Sequence, residues 1–105
     1  MKEITVQELK QMIDNHEDFQ LIDVREEHEY ELVNLGGLLI PLATIIDRAS
    51  EILKNKKVVF HCRSGKRSAT AIAALEAEFG LDNLYNLKGG ILAYAHEVDS
   101  SLPTY

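Results

Sequence analysis

The sequence predicts an α/β fold: a parallel sheet with helices on both faces. Three observations lead there. Short apolar runs of strand length, at residues 19–24, 38–40, 58–61 and 84–87, alternate with segments patterned as helices. Those helical segments run to roughly ten to fifteen residues, the length of a crossover between parallel strands. Val58-Val59-Phe60-His61 is strand-like and apolar on both faces, as a central strand covered by helices on either side must be.

Taken in order, Ile4 reads as a short edge strand. Thr5 and Glu8 have the spacing of a capping box, and Leu9, Met12 and Ile13 then share a helical face. Residues 15–18 are polar and end that helix. Residues 19–24 form a strand closing on Asp23 and Val24. Residues 25–32 read as a charged loop with a helical turn. Gly36-Gly37 marks a turn, and Pro41 stops the brief strand at 38–40. Leu42, Ile45, Ile46, Ala49, Ile52 and Leu53 predict a helix over 42–53. Residues 68–79 read as the best helix of the chain, with Gly80 as its C-terminal stop. The strand at 84–87 is followed by a Lys88-Gly89-Gly90 turn, a helix over 91–98 and a tail over 100–105.

The 105 residues correspond to one small domain, with a 46% hydrophobic share that supports a core. A net charge of −6 argues against nucleic-acid or membrane-surface partners. A single cysteine cannot form an internal disulfide, and the first residues lack the apolar run of a signal peptide, so a cytoplasmic location is expected. The four histidines are scattered, so no metal site and no cofactor are expected.

The chemistry concentrates at Cys62. It closes the central strand, precedes a helix, and is followed by Arg63, Ser64, Gly65, Lys66 and Arg67. Cations and a helix N-terminus both favour a thiolate over a thiol. A loop of this length can turn successive N–H groups inward, and Gly65 permits the backbone conformation this needs. A buried cysteine alone is most often an inert apolar side chain; the three cations and the strand-to-helix position reverse that expectation. The P-loop and esterase-elbow spacings fail, since Phe60 and Cys62 stand where glycines are required. His61, next to Cys62 on a strand, points to the opposite face and reads as a buried histidine behind the site. Asp23 and Arg25 lie at another strand end and read as a pair bracing the loop. Gly89-Gly90 reads as a structural turn approaching that loop.

These residues carry a family resemblance over essentially the whole chain. Leu21-Ile22-Asp23-Val24-Arg25-Glu26 with Glu29-Tyr30, the loop Cys62-Arg63-Ser64-Gly65-Lys66-Arg67, and Leu87-Lys88-Gly89-Gly90-Ile91 with Tyr94 resemble the signatures of a single-domain rhodanese, a sulfurtransferase. The resemblance implies one rhodanese domain over 1–105, a three-layer fold around a five-stranded parallel sheet. It implies a persulfide on Cys62, formed from thiosulfate or a similar small sulfur donor and passed to cyanide, a thiol or a protein acceptor. The N–H groups of Arg63 to Arg67 would hold that persulfide, and Arg63, Lys66 and Arg67 would attract the donor. Val33-Asn34-Leu35 and Tyr94 depart from common family residues. Residues 30–42 and the tail also resemble rhodanese domains fused behind the adenylylating enzymes of molybdopterin and thiamine synthesis. A sulfur relay for a biosynthetic partner is therefore the alternative function. A cysteine phosphatase is disfavoured, because position 68, where that motif needs its phosphate-gripping arginine, is Ser68. A non-catalytic module is disfavoured because the cysteine and the loop cations are all present.

Overall fold

The computed structural model describes every residue from Met1 to Tyr105. Five strands, Glu3–Ile4 (β1), Gln20–Asp23 (β2), Leu38–Leu39 (β3), Val58–His61 (β4) and Leu84–Leu87 (β5), form one all-parallel sheet in the order β1-β5-β4-β2-β3. Four helices complete it: Val6–Asp14 (α1), Glu27–Leu32 (α2), Lys66–Phe79 (α3) and Gly90–Glu97 (α4). The central strand β4 pairs Asp23 with His61 in register, so the ends of β2 and β4 lie side by side. That juxtaposition places the two sequence-predicted clusters, around Asp23 and Cys62, together at the carboxyl ends of neighbouring interior strands.

The alternation along β4 sorts its side chains into two layers. Val58, Phe60 and Cys62 join a core with Ala71, Ile72 and Leu75 of α3. Val59 faces the other way, into a core built with Leu9 and Met12 of α1 and Tyr94 of α4. Both faces of the sheet are therefore covered, which is why β4 is wholly buried and its sequence carries no polar alternation. No helix is long and apolar enough to cross a membrane.

The capping box forms as its spacing predicts: Thr5 Oγ accepts from the Glu8 N–H, and Glu8 accepts from the Thr5 N–H. Val6, rather than the exposed Ile13, completes the buried face of α1. The helix α3 begins two residues earlier than its apolar pattern, because Gly65 takes a left-handed φ of 104° and starts it directly after the loop.

One expected element is absent. Residues 42–53 are not a continuous helix but two short 3₁₀ turns, Leu42–Thr44 and Ala49–Glu51, with irregular backbone between them. Neither turn has a capping side chain, and the stretch is pinned from outside: Gln20 donates to the Glu51 carbonyl and accepts from the Leu53 N–H. Ile45 and Ile52 are buried while Ile46 and Leu53 are exposed, so only part of the apolar repeat reaches the core. Tertiary anchoring overrides a periodicity that contains no helix-start signal.

Candidate functional site

The chain leaves β4 at His61 and enters α3 at Lys66, and the intervening loop closes around the Cys62 sulfur. The Gly65 N–H donates to Sγ at 3.1 Å, and Ser68 Oγ lies 3.5 Å away. Cys62 is 1% exposed. Burial alone would push its thiol up. Hydrogen bonds from the Ser68 hydroxyl and from the N–H groups of Ser68, Gly65 and Ser64 outweigh that and hold it below its ordinary value. The cradle is thus supplied by backbone donors and a helix start, which lower the cost of ionising its sulfur.

The outer side of the loop is held by the start of α4. Ile91 and Leu92 donate their N–H groups to the carbonyls of Cys62 and Arg63. This draws the loop carbonyls outward and leaves the N–H groups to face the sulfur. The approach is so close that a Cβ on Gly90 would lie 2.5 Å from the Arg63 oxygen and 2.6 Å from the Cys62 oxygen. The Gly89-Gly90 turn therefore approaches the loop as its sequence suggested, and the backbone contact is the reason for the glycine.

Asp23 and Arg25 form a fully buried ion pair, with Arg25 Nη2 2.7 Å from Asp23 Oδ2. Arg25 also donates to the carbonyls of Glu29 and Val33. The pair ties the end of β2 to α2 and the chain beyond it, and makes no hydrogen bond to residues 62–67, where its bracing was expected. His61 is buried as expected, with Nε2 3.7 Å from Asp23 Oδ2 and neither ring nitrogen hydrogen-bonded within the protein. Burial pushes its pKa down, so the imidazole is favoured in its neutral form.

The three loop cations do not converge on the sulfur. Arg67 forms a two-pronged pair with Glu29 of α2, at 2.7 and 2.9 Å, which holds the Glu29 carboxyl well below the usual range. Arg63 turns to Tyr105, donating from Nε to its main-chain oxygen at 2.7 Å. Lys66 is exposed and pairs with no carboxylate. Ser64 is likewise exposed at the rim. Glu29 thus neutralises one of the three cations that the sequence groups beside the thiol.

Four residues join the site that were not assigned to it from sequence. Glu29 and Tyr105 hold the loop arginines. Ser68 and Asn86 stand behind the sulfur: Ser68 donates to Asn86 Oδ1 at 2.6 Å, and Asn86 Nδ2 donates to the Gly65 carbonyl at 3.1 Å. A polar residue inside the otherwise apolar strand β5 was a readable signal for Asn86, since buried polar groups need partners. A cleft of about 310 Å³ opens beside Arg67, lined also by Val24, Glu26, Leu42 and Ala43.

A parallel α/β domain whose central strand ends on a cysteine held in a backbone cradle is the class of protein that this geometry defines. A family model described as the rhodanese-like domain matches residues 5–97, and the chain belongs to that family. It is 38% identical to a sulfurtransferase of Allochromatium vinosum, covering 90% of this chain and 89% of that protein. It is 34% identical to the adenylyltransferase and sulfurtransferase UBA4 of Candida glabrata over 81% of this chain, but spans only 22% of that protein. It likewise spans 26% of the length of its MoeZ relatives from Mycobacterium tuberculosis. The crystal structure of a rhodanese-like domain protein from Staphylococcus aureus superimposes with a TM-score of 0.82 at 34% identity, covering 100% of this chain and 99% of that one. The five-stranded parallel sheet with helices on both faces is therefore the rhodanese-like fold.

Proposed function

We propose that this domain is a sulfurtransferase that carries sulfur as a persulfide on Cys62. The observation behind the reading is the cradle itself: a sulfur under the Gly65 N–H, at the start of a helix, with its thiol pKa held below the ordinary value. In the first half-reaction the Cys62 thiolate attacks the outer sulfur of thiosulfate. A Cys62 S–S bond forms, the donor's S–S bond breaks, and its electron pair leaves on sulfite. In the second, an acceptor such as cyanide, a thiol or a protein thiolate attacks the outer sulfur and Cys62 leaves as thiolate. No general base is needed when the thiol is already ionised. The N–H groups of the loop stabilise the persulfide anion, and Lys66 is the uncommitted cation available to draw in an anionic donor. Asp23 and Arg25 support the loop through Glu29, whose carbonyl Arg25 holds and whose carboxylate holds Arg67, without touching the reacting atoms. A lone thiol of this kind suits the reducing cytoplasm.

Phosphoryl chemistry fits the site poorly. Ser68 stands where a phosphate-gripping arginine would be needed, it is fully buried, and the guanidinium of Arg67 is turned to Glu29. A relay role, with a persulfide delivered by a partner protein, is a second reading favoured by the likeness to segments of larger adenylyltransferase and sulfurtransferase proteins.

The test is the intact mass of the protein after thiosulfate treatment. The expected result is a gain of one sulfur atom, removed by cyanide or by a reducing thiol, and no gain in Cys62→Ser. Sulfur retained by Cys62→Ser, or no gain in the parent from either thiosulfate or an organic persulfide, would refute the reading. A gain from the organic persulfide alone would favour the relay.

A further inference from the structure

Tyr105 touches one end of the loop directly, at Arg63, and the other through Glu29, the partner of Arg67. Its main-chain oxygen accepts from Arg63 Nε at 2.7 Å and also from Nη2, so one whole edge of that guanidinium is occupied. Its ring lies against two guanidinium groups, 5.2 Å from Arg63 Cζ and 5.8 Å from Arg25 Cζ. Its hydroxyl accepts from Arg25 Nη1 at 2.8 Å and donates to Glu29 Oε2 at 2.6 Å. Glu29 is the same carboxylate that holds Arg67. Leu102, three residues earlier, packs against the core beneath α1 and α4 and fixes the segment that delivers Tyr105.

An oxyanion approaching the loop therefore finds Arg67 neutralised and one of the two two-donor edges of Arg63, Nε–Nη2, already used, with only the Nη1–Nη2 edge left. Each such edge matches a planar or tetrahedral oxyanion. We propose that Tyr105 is a specificity-determining residue: it competes with the donor's oxyanion for Arg63. It thereby weights the site against oxyanionic donors such as thiosulfate, and towards donors whose sulfane sulfur carries no oxyanion, such as organic persulfides. This rests on the sulfurtransferase reading. To grip a sulfonate with the Nε–Nη2 edge of Arg63, the site must release the Tyr105 oxygen. It must also loosen the ring from two cationic faces and the hydroxyl from Glu29. A persulfide on an uncharged carbon chain needs none of those exchanges.

The experiment uses two probes: thiosulfate in steady-state turnover, and sulfate, an oxyanion with no sulfur to transfer, in calorimetric binding. Tyr105→Ala, Tyr105→Phe and a chain shortened to end at Leu102 are each compared with the parent, and again on an Arg63→Ala background. Tyr105→Ala keeps the main-chain oxygen but loses the ring and hydroxyl that hold it in place, and the shortened chain loses all three, so the KM for thiosulfate and the Kd for sulfate should fall together by roughly threefold to tenfold, most in the shortened chain. Tyr105→Phe keeps the ring and the main-chain oxygen and loses the hydroxyl clamp, so its gain should be smaller. On the Arg63→Ala background the gains should vanish. Sulfate binding no tighter in both Tyr105→Ala and the shortened chain would overturn the assignment, as would equal gains with and without Arg63. Absence of sulfur gain at Cys62 in every variant would count against the sulfurtransferase reading instead, while the sulfate arm would still decide whether Tyr105 occupies the oxyanion edge of Arg63.

Discussion

Ser68 has one hydroxyl proton and two acceptors within reach, Asn86 Oδ1 at 2.6 Å and Cys62 Sγ at 3.5 Å. With Cys62 protonated, its S–H can donate to Ser68 Oγ while Ser68 donates to Asn86. On ionisation the hydroxyl must swing to the sulfur, since a thiolate can only accept. Ser68 is thus one of the groups that decide how readily Cys62 ionises, although it was read from sequence only as the residue that is not an arginine. Ser68→Ala should raise the Cys62 pKa, because it removes a donor to the thiolate and leaves the opposing burial in place. The rate of iodoacetamide alkylation against pH should move to the alkaline side, with slower labelling at neutral pH; an unmoved profile would remove the hydroxyl from this role. Cys62 itself and its cradle were legible, because a lone thiol, three cations and a glycine at a strand-to-helix junction leave few other chemistries. The partners of those cations were not. Glu29 is 38 residues from Arg67 and Tyr105 is 42 from Arg63, and no local pattern encodes a pairing at that separation.

Among the elements, α4 acts on the loop through its first turn. Its N–H groups fasten the Cys62 and Arg63 carbonyls, and Gly90 makes the contact possible at a φ of 63°. Gly90→Ala should destabilise the domain by roughly 1–3 kcal/mol from backbone conformation alone, with the clash against Arg63 added. It should also slow Cys62 alkylation as the loop is pushed off the sulfur. Denaturant titration and alkylation on one sample test both. The buried brace between β2 and α2 is a second such element. Asp23→Asn would leave Arg25 without its carboxylate at a fully buried position, an expected loss of about 3–5 kcal/mol in the denaturant-derived stability. The strands and the long helix α3 were legible because their signals are local: β-branched runs, a capping box, a glycine stop. The stretch 42–53 was misread because its apolar spacing satisfies a helix while its C-terminal end is fixed by Gln20, which lies in another element.

At the scale of the whole molecule, two buried ionisable groups set how stability responds to acid. His61 is held neutral by burial, so its folded pKa lies below the unfolded one; the unfolded chain takes up a proton that the fold refuses. Its stabilising effect is complete above about pH 6.5 and declines as pH falls below that. Glu29, depressed chiefly by Arg67, adds stability that is complete above its unfolded pKa, about 4.3, and is lost as pH falls further. Urea midpoints measured from about pH 8 down to about pH 3 should therefore decline in two stages, and Glu29→Gln should flatten the lower one. A lower stage that persists unchanged in Glu29→Gln would assign it to other carboxylates. The contact between Tyr105 and Arg63 also bears on how the protein is handled. Tyr105 touches the loop at Arg63, whereas Met1 precedes β1, an edge strand separated from β4 by β5. An affinity tag joined after Tyr105 would emerge beside Arg63, and one joined before Met1 would emerge at the β1 edge. Rate constants from the two fusions describe differently charged sites, so donor preferences are best compared on protein tagged at Met1 or freed of its tag.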